Sequence, residues 1–377
     1  MFADHRKLDF TCCDIEAEII ARNTVILTLI ANDKEGAHHQ HAWNIYYHVF
    51  LDQRSMKVLQ AHVKYLLEHS QSLDTWNQGP YSSLIRFCDE FTFKAVVKFW
   101  RLYATEPFSQ QDYETIQASL KEQWKVTKCN QKDEVDRGFA GGGMYAAAPV
   151  LAEVYENANN SYCTFWSTGT CIDDEKVTTK FTIANPMFRC LRSGLILSHG
   201  QSPLSGFHLA PAYTELTADS PLTAKSAKKF WPTSSKAFQV AFDQFTAWSI
   251  ALRKSVDQLA VRFVNADALA FCHVLQHHQA RVNTEDAQWY RNPWSFELLV
   301  LSNTDYSLQS SAPTMFNVID TSNLVDYLGS LNLLAATAPL LERAPSSTLR
   351  TEMMVPREAN TAQSIEKLLC GDLPTVA

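Results

Sequence analysis

Three places in this 377-residue chain end a short apolar run in a carboxylate and then turn polar or helical. In "LDFTCCDIEAEII" the acids are Asp14 and Glu16. In "AVRFVNADALAF" the acid is Asp267, and in "FNVIDTSNL" Asp320 is followed by Ser322 and Asn323. In an open α/β sheet, ligands bind just outside the carboxyl ends of the strands. An acid after one strand can take the hydroxyls of a ribose. An acid after the next can take an adenine amino group, and a polar turn after a third faces the reacting end of the ligand. The same residues also suit a plainer role, because Asp at a strand-to-helix turn caps the helix that follows. Both roles stay open at this level.

Other chemistry-bearing residues point less far. His38, His39 and His41 with Cys12 and Cys13 offer metal donors, but no C-x2-C or H-x3-H spacing supports a site, so no metal is expected. "HGQSPLSG" departs from G-x-S-x-G and no strand leads into it, which argues against a serine hydrolase. Gly141-Gly142-Gly143 lacks the spacing of a phosphate loop. Trp43, Tyr46, Tyr47 and Phe50 read as core. Nine cysteines, an odd number without paired spacing, fit reduced thiols and a cytoplasmic or nuclear location. A spread net charge of -7 gives no nucleic-acid surface. No run of 18 apolar residues suggests a membrane span, and "MFADHRKLDF" has no signal-peptide core.

The elements that would position the acids follow from the apolar pattern. Residues 8–13 predict a strand covered on both faces. Ile15, Ile19, Ile20, Val25, Ile26, Leu29 and Ile30 predict the helix after it. Residues 43–128 have a helical texture, with Trp43, Tyr47, Leu66, Trp76, Phe87, Phe99 and Trp100 as its expected core. A charged, glycine-ended loop follows at 129–143, and 160–222 reads as irregular with short strands. Residues 234–258 predict a helix around Phe238, Phe242, Phe245, Trp248 and Leu252. Strand and helix alternate again over 260–278 and 315–341, with further strands at 294–302 and 347–354. The expected fold is therefore α/β. A Rossmann-like, mostly parallel sheet holds strands 8–13, 260–265 and 316–320. Residues 1–34 and 259–377 form this core, and 35–258 form a large, mainly helical insertion. Acids after successive strands in this order match the arrangement of a class I S-adenosylmethionine-dependent methyltransferase. Asp14 or Glu16 would then hold ribose, Asp267 adenine, and Asp320, Ser322 and Asn323 the substrate side.

Five segments, "RKLDFTCCDIEAEIIARN", "WNIYYHVFLD", "SGFHLAPAY", "DALAFCHVLQ" and "FNVIDTSNLVDYLGSLNLL", together resemble a fungal family of long proteins that often carry a MYND zinc finger. The domain shared by that family has no assigned function. It is related to the N-terminal region of the dynein axonemal assembly factor 3 proteins. The resemblance implies a methyltransferase-like fold. In the family a strand with a "GCGD"-type turn precedes the segment matching "RKLDFTCCD", whereas this chain starts just after that point, and the MYND cysteines are absent. A fragment, a shortened gene model or a degraded relative is thus expected, with the acidic half of a cofactor site and without its glycine half. The function expected is a binding or scaffold module with a protein partner. The alternative is an S-adenosylmethionine-dependent methyltransferase of unknown substrate, and a zinc-dependent regulator would need the missing finger.

Overall fold

The structure, a computed structural model, describes residues 7–105, 110–129, 161, 163–172, 174–190, 194–195, 206–209, 212, 236–280, 289–307 and 312–352. The glycine segment 138–145 lies outside them. Nine strands are named in chain order: β1 (Leu8–Asp14), β2 (Phe50–Leu51), β3 (Ile85–Phe87), β4 (Ile183–Ala184), β5 (Arg189–Cys190), β6 (Gly194–Leu195), β7 (Leu259–Asn265), β8 (Val318–Asp320) and β9 (Thr348–Arg350). The fold is mixed α/β. The chain divides into a helical unit, residues 1–7, 18–85 and 95–259, and a sheet unit, residues 8–17, 86–94 and 260–377.

The helical unit forms because its helices carry apolar residues at helical spacing. In Glu90–Thr105, whose later turns belong here, Val96, Val97, Trp100, Tyr103 and Ala104 are all buried. Trp100 packs beside Trp76 with ring centroids 5.3 Å apart, and its indole N–H donates to the Ala21 carbonyl. The helix Gln53–Glu68 starts where Asp52 accepts the amides of Arg54 and Ser55. Trp43 is enclosed by Tyr47, Phe207, Phe242 and Phe245. Trp248, expected in the same core, is 55% exposed and stacks on Phe207 instead. Two helical segments, Gln110–Cys129 and Lys236–Ser255, fall where helical patterning predicts them. The short strands in the irregular region are β4, which pairs antiparallel with β2, and the β5–β6 pair.

In the sheet unit the strand order is β1-β7-β3. β1 and β7 run the same way, because Asp9 lies beside Arg262 near one end and the Ala266 amide donates to the Asp14 carbonyl at the other. β7 is central and buried over most of its length, with Arg262 and Asn265 among its buried residues. β1 is corrected from the expectation: it is an edge strand with one face open, Leu8 being 55% and Phe10 51% exposed. The core of this unit gathers Cys88, Val264, Phe271, Leu275, Leu299 and Tyr306.

Two further expectations are corrected. The strand at 316–320 does not hydrogen-bond into the sheet of β1. It forms β8, which pairs parallel with β9 in a separate two-stranded sheet, although Phe316 and Ile319 pack against the same core. The physical reason is proximity along the chain: β8, the helices Val325–Leu328 and Ser330–Thr337, and β9 make one short crossover. The strand expected at 294–302 is an irregular clasp with one antiparallel bridge, Tyr290 to Leu298. There the Asn292 side chain accepts the Trp294 amide and the Ser295 hydroxyl accepts the Glu297 amide. Such local bonds compete with a ladder, and Pro293 has no amide to give one.

Candidate functional site

The candidate site is the carboxyl edge of β1, β7 and β3. The Asn265 side-chain amide, at the tip of β7, donates to the carbonyls of both Asp14 and Ile15 at the tip of β1, at 3.1 and 2.9 Å. Its backbone amide donates to the Thr92 hydroxyl at 2.9 Å, beside the tip of β3. Asp14 and Asp267 therefore share one edge of one sheet. Asp320, Ser322 and Asn323 lie at the end of the other sheet.

Each predicted acid has a local role. The Asp14 carboxylate accepts the Glu16 amide at 2.8 Å, just before the helix Ala17–Asn32. Asp267 accepts the Ala270 amide at 3.0 Å and caps the helix Ala268–Gln279. Asp320 accepts the Ser322 amide at 2.8 Å and pairs with Arg350 at 3.2 Å. That turn holds Ser322 at φ 48°, a left-handed conformation usually left to glycine. The Asn323 carbonyl accepts the Asp326 amide.

The strongest electrostatics at this edge belong to residues that sequence patterning did not single out. Asp89, directly after β3, is 1% exposed. It accepts the Thr92 amide at 2.9 Å, the Thr92 hydroxyl at 2.6 Å and the Arg291 guanidinium at 2.8 Å. Arg291 is 2% exposed; it also donates to the Asn265 carbonyl at 2.5 Å, and the Phe91 ring covers its guanidinium at 4.2 Å. Its backbone carbonyl accepts the Asp267 amide at 2.8 Å. One buried ion pair thus ties together β3, β7 and the start of the helix capped by Asp267. A signal was present: "RFCDEF" at the end of β3 repeats the strand-Cys-Asp-acid order of "TCCDIE" at the end of β1. It was hidden inside a region of helical texture.

A second buried arginine, Arg262, bonds Asp9 at 2.9 Å and faces Asp305 at 3.0 Å. Burial alone would lower its pKa, but the bond from Asp9 and the charge of Asp305 outweigh that and raise it. Three thiols lie in or against the core of this unit. Burial pushes Cys13 well up, and nearby Asp14 and Asp267 add to the effect. Cys88 is raised by the same cause, and Cys272 is pushed up to about 12. These thiols stay protonated at neutral pH and are poor nucleophiles. His39 bonds Arg253 and His41 bonds Ser55. Among the described residues no three of His, Cys, Asp and Glu come close enough to hold a metal. Nor is any helix among them long and apolar enough to cross a membrane.

Comparison with known proteins adds one finding. A family model described as "Domain of unknown function (DUF4470)" matches residues 3–51, which include β1 and the helix after it. No curated protein and no solved structure matches the chain.

Proposed function

We propose that the sheet unit is a Rossmann-like, methyltransferase-related module that binds a protein partner and acts as a scaffold. It would belong with the fungal MYND-finger-associated proteins and the N-terminal region of dynein axonemal assembly factor 3. The observation that carries this is the use made of the strand tips. Where a cofactor would need open acceptors, the carboxylates of Asp14 and Asp267 accept amides of their own turns. The buried Asp89–Arg291 pair links the end of β3, through the Asn265 carbonyl, to the end of β7. Of the residues proposed to hold S-adenosylmethionine, Asp320, Ser322 and Asn323 end a strand of a different sheet, and no catalytic step is assigned to the set.

The alternative, an S-adenosylmethionine-dependent methyltransferase, is favoured by one specific observation. Asp14 and Asp267 follow parallel neighbouring strands, the relation that ribose- and adenine-holding acids require. Calorimetry with S-adenosylmethionine separates the two. The scaffold function expects no binding heat. Micromolar binding that Asp14→Asn and Asp267→Asn each weaken at least several-fold would replace it with the enzyme, since a hydrogen bond to a charged group is worth roughly 1.5–3 kcal/mol.

A further inference from the structure

We propose that Arg22 and Tyr103 form a binding site for a small carboxylate inside the helical unit. Among the described residues three arginines are buried, Arg22, Arg262 and Arg291. The two of the sheet unit each meet aspartates. Arg22, on the helix Ala17–Asn32, is 4% exposed, and no carboxylate among the described residues pairs with it. A charge this deep is rare and costly without a counter-charge. The rings of Phe188 and Tyr46 cover the Arg22 guanidinium at 4.5 and 5.2 Å. Its Nη2 donates to the Tyr46 carbonyl at 2.8 Å, in the last turn of the helix His39–Tyr47. That bond caps a helix end and uses one nitrogen of the fork. The adjoining Nε–H is buried and has no acceptor.

Tyr103 supplies a second open donor. It lies on the helix Glu90–Thr105, is fully buried, and its hydroxyl has no hydrogen-bond partner. Trp100, one turn earlier on that helix, donates to the Ala21 carbonyl next to Arg22, so the two helices meet at this point. Burial raises the Tyr103 hydroxyl pKa, the Arg22 charge draws it back, and the Glu18 charge adds to the rise. Arg22 and Glu18 therefore both act on the space around this hydroxyl. An N–H and an O–H without acceptors, beside an unpaired positive charge, fit the two oxygens of a carboxylate. Glu18 sets the charge of the guest: a second negative charge is opposed, so a monoanionic carboxylate suits the site better than phosphate. Burial sets its size, which is that of acetate.

The test is thermal unfolding of the full chain, followed by circular dichroism, in sodium acetate, sodium phosphate and sodium chloride at matched ionic strength. Acetate is expected to raise Tm along a saturating curve, because it binds the folded chain alone. Chloride should give no saturating rise, and phosphate a weaker one than acetate. Tyr103→Phe removes a hydroxyl that has no partner in the free protein, so Tm in chloride should stay level or rise. The same variant should weaken acetate at least several-fold, since it deletes a hydrogen bond to a charged group. Arg22→Met should abolish the acetate response, and Tyr103→Phe reads the site even if Arg22→Met fails to fold. An acetate series that matches chloride overturns the proposal. So does an acetate response that Tyr103→Phe leaves intact, or phosphate that binds more tightly than acetate. A Tyr103→Phe chain with a lower Tm in chloride also overturns it, because the hydroxyl would then already be bonded within the fold.

Discussion

At the scale of single residues, the Asp89–Arg291 pair is the most exposed to disruption. Both side chains are almost wholly buried, and removing one leaves the other charged without a partner. Arg291→Met is expected to cost about 3–5 kcal/mol, read as a lower urea midpoint, and Asp89→Leu with Arg291→Met should recover part of the loss. A change under about 1 kcal/mol for the single variant would mean that water reaches Asp89. Two buried histidines of the helical unit contribute to the acid response. His62 bonds the Thr28 hydroxyl at 2.9 Å, and burial lowers its pKa from 6.5 to about 4. The Nε2 of His48 accepts the Cys171 amide, so its ring is neutral, and burial lowers it to about 3. Both folded values lie below the unfolded value, so the unfolded chain takes up protons first. Their contribution to stability is full above pH 6.5 and falls as pH drops through the window down to those values, by roughly 1.4 kcal/mol per unit and histidine. His62→Gln should flatten the pH 6.5 to 4 part of a denaturation series, and an unchanged slope there would assign the acid loss to other groups.

At the scale of elements, packing decides what helical spacing only suggests. Trp100 is fully buried against Trp76, so Trp100→Ala should cost about 3–5 kcal/mol in urea unfolding. A loss under about 1 kcal/mol would contradict that burial. Gly169 has φ +70° and a Cβ there would stand 3.0 Å from the Val49 side chain. Gly169→Ala should therefore destabilise by about 1–3 kcal/mol in the same measurement. The helices and the two long strands were legible because their apolar spacing is strong and local. β1 and β7 could be foreseen as strands, and Asp267 as a cap. Which sheet takes β8 was not legible, because pairing is chosen by what the chain brings near, not by the residues of the strand. The clasp at 289–300 was misread since "ELLVL" is strand-like, while Asn292, Pro293 and Ser295 hold the backbone off a ladder. Asp89 was missed because three residues of strand stand between helical stretches.

At the scale of the whole molecule, the sheet unit is assembled from chain segments far apart in sequence. Asp9 and Arg262 are separated by 253 positions yet form one ion pair. Nothing on β1 can find its ladder until β7 exists, and such distant contacts pay loop closure before they repay it. Stopped-flow refolding is expected to be dominated by a phase of seconds or longer; completion within a millisecond would mean that β1 docks without β7. The distribution of tryptophan has a spectroscopic consequence. Trp43, Trp76, Trp100 and Trp166 are sealed from water, whereas Trp248, Trp289 and Trp294 are 55%, 41% and 74% exposed. In native fluorescence a neutral quencher such as acrylamide should remove the red edge of the emission first and leave a blue remainder from the sealed indoles. Trp289 and Trp294 sit on the same clasp of the sheet unit, so a ligand that covers it would protect the light of two of the three exposed indoles among the described residues and shift that light to the blue without any label being attached.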